Sequence, residues 1–547
     1  MIDPWIFWLT TVVYVAITIY LAYLGWKRTK SNEDFLVAGR KVNPMIIGLS
    51  YGATFISTSA IVGFGGVAAE LGMGVIWLNV LNISIGIFIA FVFFGKKARR
   101  IGHQLKAMTF PEIMGRRFNS NFVQYISAII ILISMPLYSS AVLIGGSRFI
   151  ETTLGVPYDY ALFGFAILTA AYVIAGGILA VMYTDAFQGG IMMFGMSAIL
   201  ILTYYYLGGV TDANQALTNL ANHVPTVLAN QGMTGWTTFP SLGSALWLTM
   251  VTTIIMGVGL GVLAQPQLVV RFLTAKDDKT LNRAVPIGGI FILLMTGIAF
   301  TVGAVTNVYF YNNPSTLGLI SWAPPGSTGI GVSSNVDNII PIYINDAMPP
   351  VIVVLFMLTL LAAAMSTLSS IFHTMGSAAG HDLWINLQRS RLMGKKNVKD
   401  EHPHSTLKAN KIGTGIMIVA SIAIAYVMPG SIIARATAMF MGLCAAAFLP
   451  MYTYGLFSKK PPYRLAAVLS LTVGAVVWFV WTAFFHIAES KPLGICQGLF
   501  GKPALLALPW QNVDPMIIAL PCSIAALAIG WYIDSRKHKK GETVVAV

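Results

Sequence analysis

Gly48-Leu-Ser-Tyr-Gly-Ala-Thr-Phe-Ile-Ser57 lies inside an apolar span, 44–71, that makes a poor simple helix. Thr58, Ser59, Gly63, Gly65 and Gly66 follow closely, and Glu70 stands near its far end. In hydrocarbon, backbone released from helical bonding is costly unless it lines a cavity or binds something. A second span, 244–271, is interrupted in a similar way by Met256-Gly-Val-Gly-Leu-Gly261 and then by Gln265-Pro-Gln267. Glycine also serves close helix packing, so position in the chain has to decide between a break and a contact.

Hydrophobic residues make up 56% of the 547 residues, charged residues 10%, and mean hydropathy is +0.74. Soluble domains carry about 25% charged residues, so the chain reads as an all-α polytopic membrane protein surrounded by lipid bilayer. Spans long enough for about 30 Å of hydrocarbon fall at 4–26, 44–71, 75–95, 122–147, 158–181, 186–208, 244–271, 284–310, 349–380, 412–428, 431–457, 462–486 and 513–533. That gives about 13 transmembrane helices, two of them meeting at Pro429-Gly430 with almost no loop. The interrupted spans are the second and the seventh. Helices 2–6 and 7–11 then form two repeats, each opened by a broken helix, and the openings run in opposite directions. Such a pair points to the central binding site of a transporter. The expected organisation is a first helix and cytoplasmic loop (1–43), a first inverted repeat (44–210) and an extracellular loop (211–243). A second repeat (244–457) and two last helices with a tail (458–547) follow.

The net charge of +14 does not point to nucleic acid, because 30 of the 34 basic residues fall in alternate loops on one side. Arg271, Lys276, Lys279 and Arg283 are counted among them, as are seven between Arg389 and Lys411. The other side's longest loops, 209–243 and 311–348, hold no Lys or Arg. The positive-inside rule places the N-terminus outside and the C-terminus in the cytoplasm. Met1-Ile-Asp-Pro-Trp5 has no basic leader region, so the first span is expected to be retained. The loop 311–348 reads equally as a cap or as a gate.

Leu361-Ala-Ala-Ala-Met-Ser-Thr-Leu-Ser-Ser370 places four hydroxyls where a lipid-facing helix would carry Leu or Ile. Ser366, Ser369, Ser370 and His373 share one helix side, with Ala363 one turn earlier. Hydroxyl oxygens suit a hard cation such as Na⁺, and they also glue helices or bond to i−4 carbonyls. Asp185, in Gly176-Gly-Ile-Leu-Ala-Val-Met-Tyr-Thr-Asp185, reads either as an interfacial helix cap or as a carboxylate turned into the bundle. His373 and His381 are not at metal-ligand spacing, and Cys444, Cys496 and Cys522 form no framework. No phosphate loop, metalloprotease motif, arginine ladder or potassium-filter repeat is present. The chain is therefore not read as an enzyme, and no organic cofactor is expected.

Several motifs together resemble the sodium:solute symporters, a family that includes proline, pantothenate, sugar, sialic acid and monocarboxylate carriers. They are Asp34-Phe-Leu-Val-Ala-Gly-Arg40, Gly48 to Ser57, Gly176-Gly-Ile to Gln188, Gln265-Pro-Gln-Leu-Val-Val-Arg-Phe272 and Ala362 to Ser370. The resemblance covers nearly the whole chain. It implies a LeuT-like 5+5 inverted repeat with one preceding and two following helices. It also implies a first Na⁺ site from the carbonyls of Ala53, Ile56 and Ala363 and the hydroxyls of Ser366 and Thr367. Some members hold a second Na⁺, and that pattern maps onto Asp185, Ser366, Ser369 and Ser370.

The solute is expected among Ser50, Ser57 and Thr58, the third helix, and the stretch Gly257–Gln265 with Val258, Val262 and Gln265. The second interrupted motif is most similar to that of proline carriers. Gln267 replaces their His, Phe55 stands where they carry an acid, and Val258 and Val262 replace aromatics. The expected function is Na⁺-coupled symport of a small organic solute, an amino acid such as proline or a monocarboxylate. The alternatives are a sugar or pantothenate symporter, or a channel-like or sensor protein on the same fold. Oligomeric state is not legible.

Overall fold

The computed structural model describes residues 4–313, 336–385, 387, 403–428 and 433–539. Residues 314–335, 389–399 and the Pro429-Gly430 junction, to which parts of the loop, charge and span readings refer, lie outside them. Among the described residues there is no strand, only one isolated bridge between Val42 and Ala275.

The helices are α1 (Pro4–Arg28), α2 (Asn32–Val37), α3 (Pro44–Phe55), α4 (59–71) and α5 (76–104). α6 (Phe110–Arg117), α7 (Asn121–Leu154), α8 (Tyr158–Tyr206), α9 (Val210–Asn219), α10 (245–264) and α11 (Pro266–Leu273) follow. Then come α12 (Asp278–Asn312), α13 (Ile339–Ala347), α14 (Pro350–Ile385), α15 (Pro403–Val427), α16 (Ile433–Phe457), α17 (Arg464–Phe484), α18 (Ile487–Leu493) and α19 (Pro515–Lys539), with short helical turns at Thr226–Ala229 and Ile495–Phe500.

Eleven helices among the described residues are long and apolar enough to cross a membrane, against the thirteen expected. The difference lies in two continuous stretches, Ser59–Gln104 and Tyr158–Tyr206, of 46 and 49 residues. At 1.5 Å per residue each is about twice the hydrocarbon thickness. Both turn at a glycine with positive φ, Gly72 (81°) and Gly177 (60°). A Cβ on Gly177 would sit 2.6 Å from the Phe35 carbonyl oxygen, so only glycine fits this corner.

Local chemistry explains the breaks. α3 opens on Asn43, whose Oδ1 accepts from Met45 N–H at 2.8 Å, with Pro44 in the first turn. It ends where Ile56 turns extended (φ −87°, ψ 100°). The second break falls at Gln265 (φ −72°, ψ 119°), because a residue before proline avoids the helical region. The glycine run 257–261, expected to interrupt this span, stays helical. Gly261 is there for contact, since a Cβ would lie 2.3 Å from the Met441 carbonyl oxygen.

Burial separates core from periphery. In their most apolar windows α16 is 94% buried and α7 and α14 are 78% buried, against 22% for α1 and 28% for α19. α14 packs along α8, α7, α15 and α3, while α17 and α19 pack chiefly on each other. The hydroxyl-rich helix is thus central, and α1 and α19 are the most exposed, with α15 and α17 next at 39% buried.

Candidate ion and solute sites

At the break of α3 the carbonyls of Ala53 and Thr54 meet α14. Ser366 Oγ lies 2.8 Å from Ala53 O and 3.1 Å from Ala363 O, and Thr367 Oγ1 donates to Thr54 O at 3.1 Å. Ser366 and Thr367 are fully buried. Ala53, Ala363 and Ser366 therefore converge as uncharged oxygens. Ile56 stands at the break itself, where its ψ turns the carbonyl out of the α3 axis. Thr367 differs from the expected set by bonding to Thr54 O rather than to Ala53 or Ile56. These are hard oxygen donors of the kind a monovalent cation takes.

One turn further along α14 the chemistry changes. Asp185 is fully buried and lies eight residues beyond Gly177, well inside α8, so the helix-cap reading fails. Its Oδ2 accepts from Ser50 Oγ at 2.7 Å, Thr54 Oγ1 at 3.3 Å and Arg271 Nη2 at 3.1 Å. Its Oδ1 accepts from Ser369 Oγ at 3.3 Å. Ser370 Oγ is 2.8 Å from Thr54 Oγ1 and also accepts from Arg271 Nη2.

Arg271 corrects the loop assignment made from sequence: it is fully buried on α11, and its Nη1 donates to Gln267 O at 2.6 Å. Asp185, Ser369 and Ser370 do come together, as the second-ion pattern requires, but a guanidinium shares their oxygens. The missed signal was the Pro266 restart, which carries Arg271 inward one turn into a helix. Sequence counting saw only a basic residue near a span end. His373, on the same helix side, bonds through Nε2 to Phe35 O at 2.9 Å.

The expected solute residues divide. Ser57 and Val258 line a small, partly open pocket of about 20 Å³ between α4, α5, α10, α12 and α16, together with Asn82, Thr296, Thr437 and Phe300. Phe55 and Phe64 also border it. That volume holds about one water. Ser50 is not there, being bound to Asp185. Thr58 Oγ1 donates to Val142 O at 3.3 Å on α7. Val262 is buried against Gly86. Gln265 Oε1 accepts from Gln267 Nε2 at 2.6 Å, outside the cavity. Asn82 was missed, although an amide in an apolar span is a legible signal. Its Oδ1 is buried without a hydrogen-bond partner. Thr296 was missed too, and it is held by Asn79 Oδ1 at 2.6 Å.

Two broken helices beside a small uncharged pocket, with neutral oxygens gathered at one break, are the arrangement of a secondary transporter. Residues 35–474 match the model of the sodium:solute symporter family, and the chain belongs to that family. It is a multi-pass, Na⁺-coupled solute symporter, and Na⁺ is its coupling ion. The sodium/pantothenate symporter of Haemophilus influenzae is 26% identical, over 91% of this chain and 95% of its own. The sodium/proline symporter of Escherichia coli is 24% identical, over 87% of each. A substrate-bound, outward-open structure of a Na⁺-coupled sialic acid symporter superposes with a TM-score of 0.74 at 17% identity, covering 97% of both chains. The fold is LeuT-like.

Proposed function

We propose that this symporter takes up a compact, carboxylate-bearing solute, a small amino acid such as proline or a monocarboxylate, by alternating access. The observation that carries the reading is the uncharged lining of this pocket, Ser57, Asn82, Thr296 and Thr437 among phenylalanines; at one water's volume it has to widen to take a solute. At the helix restart the N–H groups of Ser59, Ala60 and Ile61 are bonded to Ser57 Oγ and O, so a solute carboxylate would take them in exchange for Ser57, as half-helix N-termini do in such carriers. The relatives named for proline and pantothenate support a carboxylate.

Na⁺ binds to Ala53 O, Ile56 O, Ala363 O, Ser366 Oγ and Thr367 Oγ1, tying α3 to α14 and completing the cavity. A second Na⁺ binds at Asp185, Ser369 and Ser370 once Arg271 Nη2 swings off them. One charge moving through 100 mV contributes about 2.3 kcal/mol, and a tenfold gradient about 1.4 kcal/mol. One Na⁺ thus concentrates a neutral solute by nearly three orders of magnitude, and two by the square of that. The protein lies in the cell membrane with its N-terminus outside and its C-terminus in the cytoplasm. The repeats run 44–210 and 244–457.

Proteoliposomes with an inward Na⁺ gradient should accumulate one of L-proline, L-alanine, lactate or acetate. Uptake of glucose or pantothenate alone would replace the solute assignment.

A further inference from the structure

Two carboxylates that transport does not use lie together where α17 and α19 approach α10, the second broken helix. Glu489 stands on α18, in the segment that joins α17 to α19, and Asp514 stands at the start of α19. They are 4% and 1% exposed. Burial pushes the Glu489 carboxyl well up, and the neighbouring Asp514 adds to this. Among the described residues neither closes an ion pair with Lys or Arg, and the His486 ring comes only to 3.8 Å from Glu489 Oε2. Met516 N–H holds Asp514 Oδ1 at 2.8 Å and fixes that carboxylate in place.

The hydroxyls around the pair are idle. Thr252 on α10 bonds back to Leu248 O at 2.6 Å, the usual outlet for a threonine in a membrane helix. Thr253, the next residue, is turned to Asp514, and its Oγ1 has no hydrogen-bond partner. Thr482 on α17 is turned to Glu489, and its Oγ1 has none either. Both threonines are more than nine-tenths buried, and Glu489 Oε2 is likewise without a partner. Buried oxygens ordinarily find a donor. Here four elements each turn one toward the same place, and what they lack is positive charge. Thr253 and Glu489 also line a cavity of about 470 Å³, which gives an ion a way in and water to complete its shell.

We infer that Glu489, Asp514, Thr253 and Thr482 form a binding site for a hard divalent cation of the Ca²⁺ class, apart from the oxygens on α14. Two carboxylates call for two positive charges, since a monovalent ion leaves one buried charge uncompensated. Carboxylate, hydroxyl and water oxygens are the donors calcium takes, in a geometry looser than magnesium accepts. Zinc does not fit, because among the described residues no three of His, Cys, Asp and Glu are placed to hold a metal together. The bound ion staples α10 to the α17–α19 pair and holds this broken helix against the periphery.

The test is calorimetric titration of CaCl₂ into the full-length protein in nanodiscs, with NaCl in excess throughout. One Ca²⁺ per chain is expected to bind, and the unfolding temperature rises with it. Glu489→Gln and Asp514→Asn each abolish the binding and the rise. Both remove a buried charge and keep the side-chain shape, so neither lowers the unfolding temperature without calcium. Thr253→Val and Thr482→Val each weaken binding about tenfold, and Glu70→Gln, in another wall of the cavity, leaves it unchanged. MgCl₂ binds more weakly than CaCl₂. No saturable binding by the parent, binding that survives Glu489→Gln and Asp514→Asn, or binding lost in Glu70→Gln or in Asp185→Asn/Arg271→Gln overturns the site. Equal affinity for MgCl₂ overturns the calcium class. Should either carboxamide variant fail to fold, the valine variants decide, and unchanged affinity in both overturns the site.

Discussion

Two oxygen clusters sit one turn apart on α14 and share Ser366 and Thr54 as neighbours, yet they are electrically opposite. The cluster at Ala53, Ala363 and Ser366 is neutral and holds no internal cation. The cluster at Asp185, Ser369 and Ser370 has a full negative charge already paired with Arg271. A neutral cage gives a cation a place to add, whereas a paired carboxylate offers only exchange. The difference ranks the two proposed ion sites: the first would take Na⁺ directly, and the second only against the guanidinium. Buried pairs of this kind contribute little net stability, but breaking one is expensive.

The sharpest way to break the comparison is to remove one partner. Asp185→Ala leaves a buried guanidinium uncompensated and is expected to cost about 3–5 kcal/mol in thermal unfolding, most of it recovered in Asp185→Asn/Arg271→Gln. If the single variant is as stable as the parent, the pair is not held as described. Next comes Ser366→Ala, which deletes a hydroxyl from the neutral cage. A lost bond to a charged partner is worth about 1.5–3 kcal/mol, so half-saturation by Na⁺ should rise about 10- to 100-fold in uptake assays. Charge moved per solute separates the sites further. It should fall in Asp185→Asn/Arg271→Gln if the second Na⁺ is carried, and an unchanged ratio would leave the neutral cage as the sole ion site. The smallest contrast is within the solute residues. Ser57→Ala should raise the KM for uptake about tenfold, as for one lost hydrogen bond, while Thr58→Val, whose hydroxyl faces Val142 O, should stay within about twofold.

Much of this was legible in the sequence for reasons of backbone chemistry. Pro266 forces Gln265 out of the helix, and the clustered Ser, Thr and Gly after Gly48 mark the other break. The hydroxyl stripe on α14 follows directly from helical spacing, and the structure finds its members buried as a group. What escaped depends on direction rather than composition. A restart at Pro266 points Arg271 inward, and no count of basic residues per loop registers that. Gly177 bends α8 eight residues before Asp185, so a residue that reads as an interfacial cap lies deep in the bundle. Ser50 and Ser57 look alike in sequence, but the break between them sends one to a carboxylate and the other to a cavity.

The pairing of Asp185 with Arg271 also bears on how voltage would act around the transport cycle. Together the two side chains sum to zero, so a carrier that reorients empty drags no charge of this cluster across the field. With one Na⁺ in the proposed neutral cage and a net-neutral solute, the same reorientation would move one elementary charge and feel about 2.3 kcal/mol per 100 mV. On that reading the Asp185–Arg271 pair adds nothing to the voltage dependence of the empty return.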